Sequence, residues 1–184
     1  MRILAICGSL RKQSLNLHLL QAAAELAPPG TQIEFFPLHD LPAYNGDEDN
    51  ATLLPAAVKA LRAAVEASDG ILLASPEFSH AYSGVLKNAL DWLSDSDSLA
   101  DMPATSISAA PNLGGGVRGQ LALREVLFAL GADVFVHYEL LVRSAKQKFD
   151  ADGTLSDADT REQLAKFIAD FAEFIRTKRA RVPV

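Results

Sequence analysis

The chain has 184 residues, one cysteine and a formal net charge of −6, and these properties exclude several classes of protein. A single cysteine permits no internal disulfide and suits a reducing compartment, so we expect a cytoplasmic protein. The negative charge is unlike that of a general nucleic-acid binder, which carries a basic face. The sequence has no apolar run of the ~20 residues that cross a bilayer and no long apolar region with a small-residue cleavage site near residue 1, so we expect neither membrane association nor a secretory leader.

Segments typical of strands and of helices alternate along the chain. Short apolar runs bounded by glycine, proline or polar residues indicate buried strands, and helical spacing of apolar residues fills the stretches between them. The predicted strands are residues 2–7, 32–38, 70–75, 104–109 and 133–138. The predicted helices are residues 14–27, 55–67, 86–93, 123–130 and 158–178. Ser156 and Asp159 have the spacing of a capping box before the last helix, and the basic tail TKRARVPV is expected to be its solvated end.

Five strands, each followed by a helix, predict an α/β fold with a parallel sheet and helices on both faces. We expect one domain over residues 1–184, because no linker or repeat interrupts the pattern. Right-handed crossovers leave few topologies. The flavodoxin-like order 2-1-3-4-5, a three-layer fold, places the loops after the first and third strands together at the carboxyl edge of the sheet, where ligands bind.

The loop after the first predicted strand, GSLRKQSLN over residues 8–16, concentrates hydrogen-bond donors. Ser9, Arg11, Ser14 and Asn16 offer hydroxyl, guanidinium and amide groups, and the N-terminus of the next helix adds free N–H groups. Such donors suit a compact terminal phosphate. The loop has neither the dinucleotide-binding nor the P-loop glycine pattern. An ordinary helix cap formed by Ser14 or Asn16 is the alternative interpretation.

The segment after the third predicted strand, SPEFSHAYSGVLKNALDWLS, carries a family resemblance. GSLRKxSxN followed by PExxxxxxGxLKNAxDWLS resembles the NADPH-dependent FMN reductase family, which includes bacterial quinone, chromate and azo-dye reductases. The resemblance covers nearly the whole chain, including a later GGxRxQ at residues 115–120 and DGTLSD before the last helix. The chain departs from the family where PEFS replaces the usual PEYN.

The resemblance implies an FMN site at the two loops. The residues that it places around the FMN phosphate are Ser9, Arg11, Ser14, Leu15 (through its backbone) and Asn16. The residues that it places along the isoalloxazine ring, mostly through backbone groups, are Pro76, Glu77, Phe78, Ser79 and Ala110. Those implied to orient the following helix or a partner subunit are Gly84, Lys87, Asn88 and Asp91.

Several side chains near these loops have two open interpretations. Phe78 and Tyr82 stack on the flavin or a substrate, or pack beneath the loop. His80 contacts the second substrate or is solvated. Arg118 binds a nicotinamide phosphate or a neighbouring subunit. Trp92 is expected to pack in the core or against a subunit rather than on a cofactor.

The resemblance implies an FMN-dependent NAD(P)H oxidoreductase. A hydride would pass from NADPH or NADH to FMN and, in ping-pong fashion, on to a small-molecule acceptor such as a quinone, azo compound, chromate or free flavin. A homodimer or homotetramer is implied as well. No catalytic acid or base and no metal site are predicted, because the cofactor performs the redox chemistry. The alternatives are a flavodoxin-like FMN electron carrier that does not oxidise NADPH, and a flavin-free relative.

Overall fold

The computed structural model describes residues 1–94 and 96–180, which build a six-stranded parallel sheet. Its strands are β1 (Arg2–Cys7), β2 (Gln32–Phe36), β3 (Gly70–Ala74), β4 (Pro103–Ala109), β5 (Asp133–Val134) and β6 (Leu140–Val142). The strand order is β2-β1-β3-β4-β5, and β6 also pairs with β4. All these pairings are parallel, so the predicted flavodoxin-like order 2-1-3-4-5 is confirmed.

Five α-helices cover the two faces of the sheet. They are α1 (Leu15–Glu25), α2 (Ala56–Glu66), α3 (Gly84–Ser94), α4 (Val117–Ala129) and α5 (Ala158–Arg179). Helices α1 and α5 pack on one face, and α2, α3 and α4 pack on the other. Because both faces are covered, every residue of β3 is buried, as continuous apolar strands require. In the described residues no helix is long and apolar enough to cross a membrane.

The predicted fifth strand, residues 133–138, is interrupted in the structure. Strand β5 ends after two residues, and the chain rejoins the same edge of β4 as β6. The ring of Phe135 turns inward instead, where it is only 4% exposed and packs edge-on to Phe167 of α5 at 5.5 Å. The Thr105 hydroxyl of β4 donates to the Phe135 carbonyl at 3.3 Å. Packing against α5 therefore outweighs continuous strand pairing at this edge.

The predicted capping box before α5 is wrong by one residue. Asp157 is the N-cap, and its carboxylate accepts the backbone N–H of Thr160 at 3.0 Å. The Ser156 hydroxyl instead donates to Asp150 at 2.7 Å, within the turn that precedes the helix. The last four residues of the basic tail, 181–184, lie outside the described residues.

Candidate functional site

Three loops meet beyond the carboxyl ends of β1, β3 and β4. The Gly8 N–H, after β1, donates to the carbonyl of Ala74 at the end of β3 at 2.7 Å. A β-carbon at Gly8 would lie 2.6 Å from the Ser83 Oγ and 2.9 Å from the Ser75 Oγ. The loops after β1 and β3 are thus in direct contact, and only glycine fits between them. This is the juxtaposition that the strand order predicted.

The loop between β1 and α1 ends in a helix N-terminus with free donors. Ser14 is the N-cap of α1, and its hydroxyl accepts the N–H of Leu17 at 3.3 Å. The backbone N–H groups of Leu15 and Asn16 have no hydrogen-bond partner within the described part of the chain. The Arg11 guanidinium also has no ion-pair partner there. Free N–H groups and an unpaired cation at a helix N-terminus fit a phosphate group.

Asn16 has a structural contact that its position in the sequence does not reveal. Its side chain is 3% exposed, and its Nδ2 donates to the Ala109 carbonyl at 3.1 Å. The Ala109 N–H donates back to the Asn16 Oδ1 at 2.9 Å. Asn16 therefore joins the start of α1 to the end of β4, and one N–H of its amide remains for a ligand. The helix-cap alternative belongs to Ser14, not to Asn16.

The loop after β3 forms a tight hairpin with a strained tip. Phe78 and Ala81 exchange two backbone hydrogen bonds, of 2.8 and 3.0 Å. The two residues between them, Ser79 and His80, have φ values of 50° and 67°. This is the arrangement of a type I′ turn, which favours Asn-Gly because both central residues are left-handed. Phe78 is 57% exposed, so its ring is available for stacking.

Glu77 fastens this hairpin to α4. Its Oε2 accepts the backbone N–H of Arg118 at 3.0 Å and that of Gly119 at 3.3 Å, both in the first turn of the helix. The N-cap of α4 is Gly116, which has no side chain to perform this role. A carboxylate at a helix N-terminus also interacts favourably with the helix dipole. The sequence analysis did not predict this contact. The glycine at the N-cap of α4 is the signal that could have indicated it, because glycine has no side chain and another residue must then cap the helix.

The backbone of Ala110 is already hydrogen-bonded within the protein. Its N–H donates to the Val142 carbonyl at 3.0 Å, and its carbonyl accepts the Ala145 N–H at 2.9 Å. Ala110 is also only 6% exposed, so its backbone N–H is not available to a ligand. The glycine-rich turn after it is closed by Asn112, whose Oδ1 accepts the N–H of Gly114 at 3.0 Å.

The motif on α3 holds the long loop after β2. The Asn88 Oδ1 accepts the N–H of Tyr44 at 2.7 Å, and its Nδ2 donates to the Pro42 carbonyl at 2.8 Å. The Trp92 Nε1 donates to the same carbonyl at 2.9 Å, and Trp92 is fully buried. Trp92 is therefore a core residue, as predicted.

Other residues near the loops are packed or ion-paired within the protein. Tyr82 packs partly buried against the core beneath the hairpin, and burial raises its pKa. Lys87 forms an ion pair with Asp91 along α3. Burial also raises the pKa of the Cys7 thiol at the end of β1, so this cysteine stays protonated. No group of three metal-ligating side chains occurs among residues 1–94 and 96–180.

Unpaired positive charges gather at the same edge of the sheet. Most described lysines and arginines form ion pairs with carboxylates. Within the described ranges, those with neither an ion pair nor a side-chain hydrogen bond are Arg11, Lys12, Lys59, Arg118, Arg143 and Lys146. All but Lys59 lie in loops, or at a helix start, beyond the carboxyl ends of β1, β4 and β6. In an acidic chain, this distribution favours anionic ligands at this edge.

Comparisons with known proteins identify the family of this chain. A profile of NADPH-dependent FMN reductase matches residues 1–147. A probable NADPH:quinone oxidoreductase from Oryza sativa is 41% identical, over 94% of this chain and 91% of its own length. An NAD(P)H-dependent FMN reductase from Pseudomonas aeruginosa is 36% identical, over 97% of both chains.

Solved structures give the same result. FerB, a flavoenzyme NAD(P)H:(acceptor) oxidoreductase from Paracoccus denitrificans, superposes with a TM-score of 0.88 at 29% identity, covering 96% of this chain and 98% of that one. A flavodoxin from Pseudomonas aeruginosa, with a TM-score of 0.59 at 16% identity over 94% and 99% of the two chains, shares the fold alone. The predicted resemblance is confirmed, and the chain belongs to the NADPH-dependent FMN reductase family of oxidoreductases, which work with FMN and NAD(P)H.

Proposed function

We propose that this chain binds FMN at the carboxyl edge of its sheet and passes electrons from NADPH or NADH to a small acceptor in ping-pong fashion. The acceptor is a quinone, azo compound, chromate or free flavin, and residues 1–184 act as one domain in the cytoplasm. The observation that carries the proposal is the meeting of three loops at this edge, with free backbone donors and unpaired cations.

The phosphate of FMN is held by the loop between β1 and α1. The Arg11 guanidinium supplies a planar fork of donors to the phosphate oxygens. The N–H groups of Leu15 and Asn16 point out of the helix N-terminus without partners, and Ser9 and Ser14 supply hydroxyls. The Ser14 oxygen caps α1, and its hydroxyl, which lies within hydrogen-bond reach of the Cys7 sulfur, donates to a phosphate oxygen when FMN is bound.

The isoalloxazine ring rests against the hairpin after β3. Pro76, Glu77 and Ser79 face it with backbone groups, and Phe78 offers an exposed ring for stacking. Ala110 closes the other side with its apolar surface. FMN, when bound, supplies the redox chemistry. The chain positions the FMN and surrounds it with positive charge. The nicotinamide nucleotide and the acceptor bind one after the other at the same open face of the site.

A flavodoxin-like electron carrier is the main alternative. Such carriers hold the ring between two aromatic side chains. In this chain Phe78 is exposed beside the proposed site. The ring of Tyr44, from the long loop after β2, packs edge-on against Trp92 at 5.0 Å. One stacking aromatic rather than two favours an enzyme with an open flavin face.

Self-association into a dimer or tetramer is part of the proposal. Leu121 and Phe128 lie on one face of α4 and are 46% and 79% exposed, and Val136 beside them is 54% exposed. They line a groove of about 600 Å³ together with Arg124 and Glu125. Exposed apolar side chains in one patch are typical of an interface. Light scattering should give a multiple of the chain mass for the wild type and a lower mass for Phe128→Asp.

The first experiment is the absorbance spectrum of the purified protein with FMN, followed by anaerobic addition of NADPH or NADH. Flavin bands that bleach rapidly with either nucleotide are expected. Bands that persist would identify a carrier that another protein reduces. No retained flavin would overturn the FMN site, and Arg11→Ala should weaken retention if the loop after β1 holds the phosphate.

A further inference from the structure

We propose that Arg118 and Arg143 form a second anion subsite, which binds a phosphate group of the nicotinamide nucleotide. This inference rests on the proposed function. The subsite is separate from the predicted FMN phosphate loop, which lies after β1. Its ligand is a phosphate of the dinucleotide, either the 2′-phosphate of NADPH or the diphosphate shared with NADH.

The two arginines are held near one another by the glycine-rich turn after β4. Arg143 lies directly on this turn, since a β-carbon at Gly115 would be 3.0 Å from the Arg143 Cγ. The Ser144 N–H donates to the Asn112 carbonyl at 3.0 Å, which ties the segment after β6 to the same turn. Arg118 follows three residues after Gly115, in the first turn of α4. A glycine is required at position 115, because its φ is +65° and the Arg143 stem fills the space above it.

Arg118 also adjoins the hairpin proposed to support the flavin ring. Its backbone N–H is bound by Glu77 of that hairpin at 3.0 Å, and its side chain is exposed. A nucleotide whose nicotinamide lies on the flavin therefore has Arg118 within one helical turn of the same hairpin. The glycine-rich turn that Arg143 packs on leads directly into the first turn of α4, so both arginines lie along the path that we propose for the dinucleotide.

The charges around the pair leave it available for an anion. Neither guanidinium has an ion-pair partner in the described ranges, although the chain carries a net charge of −6. The Glu77 carboxylate is occupied by two backbone N–H groups, and Glu139 pairs with Arg124. Quinones and azo groups need no phosphate contact. Chromate and free FMN are anionic as well, but only the nicotinamide nucleotide is needed with every acceptor, so it is the substrate that we assign to these arginines.

The backbone at the subsite is constrained. Ser144, directly after Arg143, has a φ of +49°, and Gly116, two residues before Arg118, has a φ of +88°. Glycine adopts such a φ freely, but a left-handed serine persists only where surrounding contacts hold it, and such residues are frequent at binding sites. The constraint at Ser144 fixes the backbone from which Arg143 extends.

The test is equilibrium binding of NADP⁺, NAD⁺ and 2′,5′-ADP to the FMN-loaded protein, by calorimetry, for Arg118→Gln and Arg143→Gln. Lys59→Gln is the matched control, because Lys59 is an unpaired cation on α2 and belongs neither to the glycine-rich turn nor to the segments that carry the two arginines. Each arginine variant should weaken NADP⁺ binding by roughly tenfold, with FMN affinity and melting temperature unchanged. Arg118→Lys should recover part of the loss, since lysine keeps the charge but not the fork.

The outcomes separate the two sources of phosphate. Weaker binding of NADP⁺ and 2′,5′-ADP but not of NAD⁺ identifies the 2′-phosphate. Equal weakening of NADP⁺ and NAD⁺ identifies the diphosphate. Nucleotide affinities within twofold of the Lys59→Gln control overturn the subsite, as does a variant that changes only FMN affinity or only the oligomeric mass. A wild type that holds no FMN, or that NADPH does not reduce, refutes the proposed function instead.

Discussion

Replacing Asn16 by alanine tests how the phosphate loop is fastened to the sheet. The substitution removes two hydrogen bonds to Ala109, of 3.1 and 2.9 Å, in a region where both residues are 3% exposed. The Ala109 N–H and carbonyl then lose their partners in a buried site. Each unsatisfied buried backbone group costs roughly 1–3 kcal/mol, so we expect a loss of about 2–6 kcal/mol in the free energy of unfolding.

The assay is thermal unfolding of the FMN-free protein, so that ligand binding does not contribute. For a chain of this size each kcal/mol lowers the melting temperature by roughly 2–4 °C, so we expect a fall of about 4–24 °C. Gln13→Ala is the matched control, because Gln13 lies in the same loop, is exposed and has no side-chain hydrogen bond within the described residues. Asn16→Asp should destabilise at least as much as Asn16→Ala at neutral pH, since it keeps the acceptor for the Ala109 N–H but buries a carboxylate against the Ala109 carbonyl.

The competing explanation makes the opposite prediction. If Asn16 acts only as a phosphate ligand, the alanine variant melts within about 2 °C of the wild type and loses FMN affinity alone. That result would refute the structural role of Asn16. Loss of both properties in proportion is expected, because the residue positions the N-terminus of α1, whose free N–H groups face the site.

Three further sets of substitutions test other contacts. The double variant Ser79→Asn/His80→Gly should raise the free energy of unfolding by about 1 kcal/mol, because both positions have a left-handed backbone that asparagine and glycine adopt more easily. Chemical denaturation measures this change, and unchanged stability would contradict strain at this turn. Gly153→Ala should cost at least about 1–2 kcal/mol, since φ is +91° and the new carbon would lie 2.5 Å from the His18 ring; adding His18→Ala should restore part of the loss. Hydrogen bonds from Thr160 and Lys148 lower the pKa of Asp157. The wild type should therefore be more stable than Asp157→Asn at neutral pH, and the difference should vanish as pH falls below the ordinary carboxyl value; a pH-independent difference would exclude this linkage.

Much of the fold could be predicted from local patterns. The sequence predicted β1 and β3 correctly, because strands buried on both faces need continuous apolar runs. It also predicted α5, because a helix that packs on the sheet needs a wide apolar stripe at helical spacing. The interrupted strand after Val134 could not be read in this way. Its course depends on where the Phe135 ring packs, and that is decided by α5, more than 30 residues later.

The candidate site, like the fold, was predicted only in part from the sequence. The donor-rich loop at residues 8–16 and the motif after β3 are visible in the printed sequence, because residue type and order carry the family pattern. What each side chain touches is not visible there. Asn16 bonds Ala109, and Glu77 caps α4, through contacts that join residues 93 and about 41 positions apart.

The sequence by itself determined the family, the parallel sheet and the edge at which the loops gather, because these follow from local hydrophobic periodicity and short motifs. The tertiary structure decided which donors are consumed within the protein and which remain for a ligand. It also decided which charges are paired, and so left Arg118 and Arg143 unneutralised within the described residues. The physical reason is that hydrogen bonds and ion pairs depend on distances of a few ångströms between elements far apart in the chain.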